Sequence, residues 1–207
     1  MMVMPANNTG MTVGYMAGRW PGRVGCLMSP DGWRTLREWF PYAIDNGAFP
    51  IWTKGGIWNE AAFYQICAKS SFMHKPLWIA VPDVVANREA TLDSWRRHHI
   101  QVSLFCSALA FVVQDGMTPD DVPSNADVVF VGGTTDWKWK NLRTWTENFP
   151  RVHVGRVNTE KFLWMAHEAG AESCDGTGWF RGDVNQLNGL LHYLEQSTSN
   201  DLFCCGI

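Results

Sequence analysis

Hydrophobic and polar positions along the chain switch between two periods, which predicts a succession of short strands and amphipathic helices. After a polar start over residues 1–10, the stretches 11–18 and 23–28 read as two strands around the turn signal Trp20-Pro21-Gly22. Asp31 then reads as the cap of a helix in which Trp33, Leu36, Trp39 and Phe40 recur at three and four residues, with Pro41 ending it. A strand over 42–45 runs into Asn46-Gly47. From there helices over 58–70, 88–99, 137–148 and 159–169 interleave with strands over 77–81, 110–113, 127–131, 152–154 and 173–175, and residues 183–196 make a closing helix.

Short apolar runs alternating with helical stretches imply βα units, because parallel strands need crossover connections. Two early strands and six later ones make eight, which points to an α/β fold of the compact (β/α)8 barrel type. At 207 residues the chain is shorter than the roughly 250 typical of such barrels, so some helices must be short or missing. A doubly wound open sheet is the alternative. It would ordinarily carry a glycine-rich phosphate loop after its first strand, and neither GxGxxG nor a Walker pattern occurs here.

Composition narrows the class. With 46% hydrophobic residues, 18% charged residues and twelve Trp, the chain is globular and rich in aromatic surface, and its length suits one core. A formal net charge of −3 supplies no overall attraction to nucleic acid, so binding of that kind would rest on local basic patches. The six cysteines, Cys26, Cys67, Cys106, Cys174, Cys204 and Cys205, form no CxxC pair and no His-associated zinc spacing, and neither a metal nor another cofactor is expected. Cys204-Cys205 reads as part of a frayed terminus, with metal chelation or oxidation as alternatives. The absence of a leader pattern and of a long apolar run predicts a cytoplasmic protein with free thiols and no membrane contact.

The candidate chemistry lies at the strand ends. Asp45, Asp83, Gln114, the Gly132-Gly133 amides and Asp175 each follow the last apolar residues of a strand, where barrel enzymes gather their catalytic groups. Each has a structural alternative as a turn or helix cap; Asp175 beside Gly176 fits a cap as well as a nucleophile. Together, three carboxylates, a carboxamide and backbone N–H groups suit a ligand rich in amino and imino donors with some carbonyl acceptors, such as the edge of a guanine-like base. One carboxylate can then attack a sugar carbon while another manages the leaving group's proton.

In the same order along the chain, Ile44-Asp-Asn-Gly-Ala-Phe49, Val81-Pro-Asp-Val84, Val113-Gln-Asp-Gly116, Val131-Gly-Gly-Thr134, His153-Val-Gly155 and Cys174-Asp-Gly-Thr-Gly178 resemble motifs of the tRNA-guanine transglycosylase superfamily, over roughly residues 42–183. More closely, the chain is similar to the short, phage-type members of the DpdA family, which insert 7-deazaguanine bases into DNA. The resemblance implies that Asp175 is the nucleophile that attacks C1′ and Asp45 the carboxylate that handles the base's proton. It implies that Asp83, Gln114, Gly132 and Gly133 recognise the base, and that guanine leaves while a preQ0-like base enters with net retention. Two departures stand out. The chain ends in Asp201-Leu-Phe-Cys-Cys-Gly-Ile207, without the clustered Cys and His of the tRNA enzymes' zinc subdomain, so a single barrel over 1–207 is expected; and the family's Asp-Ser-Gly-Gly-Phe is here Asp45-Asn-Gly-Ala-Phe49.

For the DNA itself, Lys138, Trp139, Lys140 and Arg143 read as phosphate contacts with an aromatic stacking surface, with Arg181 and the Arg19 to Arg23 turn as further candidates. A solvated helix face with Trp buried is the alternative for 138–143. Arg96-Arg-His-His99 reads as a basic helix end and His153 as a packed core histidine. Reaching a base in duplex DNA requires flipping or strand opening, for which a helper protein is the expected partner. A small-molecule glycosidase or nucleosidase using Asp45 and Asp175, and an inactive nucleic-acid-binding barrel, are the rival readings.

Overall fold

A computed structural model describes residues 1–204. Its strands are β1 (Met2–Pro5), β2 (Cys26–Met28), β3 (Tyr42–Ile44), β4 (Ile79–Ala80), β5 (Leu109–Val113), β6 (Val128–Val131), β7 (Val152–Val154) and β8 (Ser173–Gly176). The helices are α1 (Met11–Arg19), α2 (Ala48–Trp52), α3 (Glu60–Ser70), α4 (Arg88–Ser103), α5 (Thr135–Asn148), α6 (Glu160–Glu168) and α7 (Val184–Cys204). All eight strands are parallel and pair in sequence from β2 to β8 and then β1. Bridges from Val3 to Val24 and from Ala6 to Leu27 span the remaining seam between β1 and β2, and the Asn7 N–H donates to the Leu27 carbonyl at 2.8 Å. The fold is a compact (β/α)8 barrel.

Strand alternation sorts the core into two layers. On β5, Phe111 and Val113 pack outward with the helices, while Ala110 and Val112 face the barrel interior with Met4, Leu27, Ala43, Trp78, Val128 and Phe130. Both faces are covered, as parallel strands require. Phe111 is fully buried and meets Trp95 of α4 edge-on at 5.4 Å. Phe111→Ala should therefore cost about 3–5 kcal/mol in a denaturant titration.

Economy in the crossovers accommodates eight strands in so short a chain. The β2–β3 connection has only a 3-10 turn at Pro30–Gly32, and the β5–β6 connection only one at Pro119–Asp121. Three helices, α3, α4 and α6, begin at a side-chain cap: Asn59, Asn87 and Thr159 each accept a backbone N–H three residues on.

Three local expectations are corrected. Residues 11–18 are helical, with Val13, Met16 and Ala17 buried at three- and four-residue spacing, and the first strand is Met2–Pro5, inside the stretch read as a polar start. No helix follows Asp31. Trp33 leaves helical geometry at φ −52°, ψ 133°, yet Leu36 and Phe40 still reach the core, so their burial does not require a helix. Third, α4 continues to Ser103, which puts residues 96–99 mid-helix: Arg96 pairs with Asp93 at 2.5 Å, the half-buried Tyr64 hydroxyl meets the buried His98 at 2.8 Å, and His99 stacks on Trp95.

Cys26, Cys67, Cys106 and Cys174 are buried free thiols, whereas Cys205, half of the pair read as a frayed terminus, lies outside the described residues. Among the described residues no helix is long and apolar enough to cross a membrane.

Candidate active site

The carboxyl ends of all eight strands open onto one cavity of about 460 Å³, within the ~300–1,000 Å³ usual for small-molecule sites. Its rim takes Asn7 after β1, Ser29 after β2, Asp45 after β3, Asp83 after β4, Gln114 after β5, Gly132 and Gly133 after β6, Arg156 after β7, and Asp175 within β8. Leu27, Val85, Val112 and Phe130 supply the apolar wall. The six groups expected from the sequence to share a mouth do share it. A second depression, about 380 Å³ between α1 and residues 35–40, holds no carboxylate and lies away from the strand ends.

Asp83 and Gln114 form a locked unit. Gln114 Nε2 donates to Asp83 Oδ2 at 2.6 Å, Asn46 Nδ2 donates to Oδ1 at 2.8 Å, and Gln114 Oε1 accepts the Ala86 N–H at 2.9 Å. Asn46 is held in turn by Ala48, whose N–H donates to its Oδ1. Asp83 keeps acceptor capacity and Gln114 one amide hydrogen for a ligand, both in fixed orientation. Burial pushes the Asp83 carboxyl up to about 6, against the Asn46 hydrogen bond and the Arg156 charge.

Asp45 is pushed further, to about 7, first by burial and then by the charges of Asp175 and Asp83, against hydrogen bonds from the Gly47 and Asn46 amides. Near neutral pH it therefore exchanges a proton readily, as an acid and base used in turn must. Asp175 is 6% exposed. Its Oδ1 receives the Arg156 N–H at 3.1 Å and lies 3.2 Å from His153 Nε2. A carboxylate only accepts, so His153 presents Nε2–H to it, and its Nδ1 lies 2.8 Å from the Ser173 hydroxyl.

The glycine pair behaves differently from expectation. The Gly132 N–H is committed to the Val113 carbonyl at 3.2 Å, whereas the Gly133 N–H makes no hydrogen bond among the described residues. Gly133 has φ +64°, and a Cβ there would stand 2.7 Å from both Asp115 Oδ2 and the Trp137 ring. One free amide, not two, is thus available.

The chain matches no protein-family model and no curated protein.

The expected DNA contacts need the largest correction. Lys138 is 1% exposed and gives its ammonium to the Gly155 carbonyl, because the first turn of α5 points it behind β7 and not outward. Trp139 is stacked on Phe162 at 4.3 Å, so that ring face is taken. Lys140 and Arg143 are exposed, but α5 carries them away from the mouth; Arg143 lies eight residues past Thr135, ~12 Å along the axis. Only Arg181 lines the cavity, joined there by Lys54 and Arg156.

Sequence reading missed His153, Ser173 and Arg156 as parts of the site. Period-two alternation does mark the first two: Val152 and Val154 pack outward, which turns His153 inward, and Cys174 packs outward between Ser173 and Asp175. Arg156 left no such trace. It adopts φ +59°, uncommon for a side chain other than Gly, and its guanidinium bonds the Gly133 carbonyl and lies 3.9 Å over the Phe49 ring. Among the described residues no group of three or more His, Cys, Asp or Glu is arranged to hold a metal ion.

Proposed function

We propose that this barrel is a DNA-guanine transglycosylase, exchanging guanine in DNA for a 7-deazaguanine base such as preQ0 through a glycosyl-enzyme intermediate. The observation that carries the reading is the convergence of Asp175, Asp45, the Asp83–Gln114 unit and the Gly133 N–H on one cavity. Asp83 would accept from the base's amino and imino donors, while Gln114 and the Gly133 amide would donate to its carbonyl. The Asp175 carboxylate attacks C1′, the C1′–N9 bond breaks, and the departing guanine takes a proton from Asp45. The incoming base then loses its proton to the Asp45 carboxylate and attacks C1′, releasing Asp175 as a carboxylate. Two displacements retain configuration.

The burial of Lys138 and the stacking of Trp139 favour a second reading, exchange or hydrolysis of free nucleosides, since they leave fewer groups for a DNA strand. Labelled guanine or preQ0 supplied with either DNA or deoxyguanosine separates the two. Label entering DNA supports the first, and label entering only the nucleoside supports the second. Folded protein that exchanges neither and releases no guanine from deoxyguanosine, even with host extract supplying a helper, would sink both. If Arg181 contacts a phosphate, Arg181→Ala should weaken DNA binding at every sequence and reduce the log–log salt slope by about 1.

A further inference from the structure

Lys138 and Asp175 never touch in the hydrogen-bond pattern, yet one peptide group connects them. The Lys138 ammonium donates to the carbonyl of Gly155, and the N–H at the other end of that same peptide, on Arg156, donates to Asp175 Oδ1 at 3.1 Å. A trans peptide presents its C=O and N–H in opposite directions, so one unit serves both partners; Arg156 takes φ +59°, and a Cβ at Gly155 would stand 2.6 Å from the Phe130 ring and 3.5 Å from Asp175 Oδ1. His153 Nε2 reaches the same Oδ1 at 3.2 Å from inside the barrel, braced by Ser173 and boxed by Trp78 and Phe130 at 4.8 and 4.5 Å. No hydrogen bond reaches Asp175 Oδ2 among the described residues.

We infer that Lys138 is a positioning residue that polarises the Gly155–Arg156 peptide, so that this peptide and His153 together anchor Asp175 by Oδ1 and leave Oδ2 as the attacking oxygen. The inference rests on the reading of Asp175 as nucleophile. A carbonyl that accepts from a cation makes its own N–H a stronger donor, because hydrogen bonds in series polarise one another. That donor stabilises the Asp175 carboxylate, which is the leaving group when the second base attacks C1′. Lys138 is 1% exposed with its ammonium on the Gly155 carbonyl and no carboxylate in hydrogen-bond reach among the described residues, an arrangement that carries a desolvation cost. Burial and the Arg156 charge pull Lys138 down to about 7, while Asp175 and Cys174 act against them, so the relay is strongest below neutral pH.

The test uses the whole chain at pH 6, with Lys138→Met and, should that variant fold poorly, Lys138→Gln, which keeps a donor without the charge. The Arg156 amide proton, followed by NMR, should lie downfield in the wild type and move upfield in both variants, more in Lys138→Met. In base exchange kcat should fall about tenfold with KM for DNA unchanged, the scale of one weakened charge-assisted hydrogen bond. An Arg156 amide indifferent to both substitutions would overturn the relay whatever the activity. Full activity in Asp175→Asn would instead remove the nucleophile reading, and an amide shift that persisted would then mark the relay as structural.

Discussion

Asp175→Asn should leave a folded barrel whose base exchange is reduced about 10⁴-fold, the scale on which a member of a covalent catalytic unit is lost. The substitution isolates the chemistry. An asparagine keeps an Oδ1 acceptor for the Arg156 N–H and the His153 Nε2–H, so the two bonds that orient the side chain survive. It cannot form the sugar ester. Thermal unfolding should differ little from that of the wild type, and the measurement is label incorporation per enzyme over time. A variant keeping a tenth of the activity would mean that water or the incoming base attacks C1′ directly and that Asp175 serves only to stabilise positive charge.

At Asp45 the expected result combines activity with pH. Asp45→Asn removes the group proposed to carry the base's proton, and exchange should fall by ~10²–10⁴, with loss of Asp45's share of the pH dependence expected around 7. Stability should move the other way. A carboxyl whose folded value is raised from 3.8 to about 7 stabilises most when protonated; its contribution is complete below pH 4 and is lost as pH rises through 7. Asn mimics the protonated form. At pH 8 the variant should therefore be more stable than the wild type by on the order of 2 kcal/mol, and at pH 4 the gain should vanish. Asp83, raised to about 6, acts in the same sense. Lys138, lowered from 10.5 to about 7, has the opposite sign: its contribution to stability grows as pH climbs from 7 toward 10. Denaturant titrations of both proteins at pH 4, 6 and 8 check the Asp45 effect, and an Asp45→Asn variant less stable than the wild type at pH 8 would refute it.

The barrel was legible in the sequence because its central strands are continuous apolar runs ended by polar or glycine residues, as at 109–116 and 128–133. The beginning was not. Met2-Val-Met-Pro5 is short and ends in Pro, while Gly14 and Gly18 interrupt the helical pattern of 11–19, so local propensity favoured the wrong assignment at both. The count of eight strands held although one of them lay elsewhere. Residues 33–40 show the limit of periodicity: apolar spacing reports which side chains are buried, and an irregular chain anchored by the His74 contact to the Phe40 carbonyl buries them equally well. At the mouth, carboxylates and amides were readable because strand ends fix their position. Lys138 was not, since whether a lysine one turn into a helix faces solvent or the barrel depends on the helix's rotation against β6 and β7, which only packing sets.

The proposed exchange requires a covalent bond between Asp175 and C1′. Protein incubated with labelled DNA, without an incoming base, should retain label on the polypeptide after denaturation, and peptide mass spectrometry should find the sugar on the segment that holds Asp175. The adduct should be absent from Asp175→Asn and should disappear when guanine or preQ0 is added. Base exchange proceeding with no adduct, or with the sugar on Asp45, would contradict the central claim.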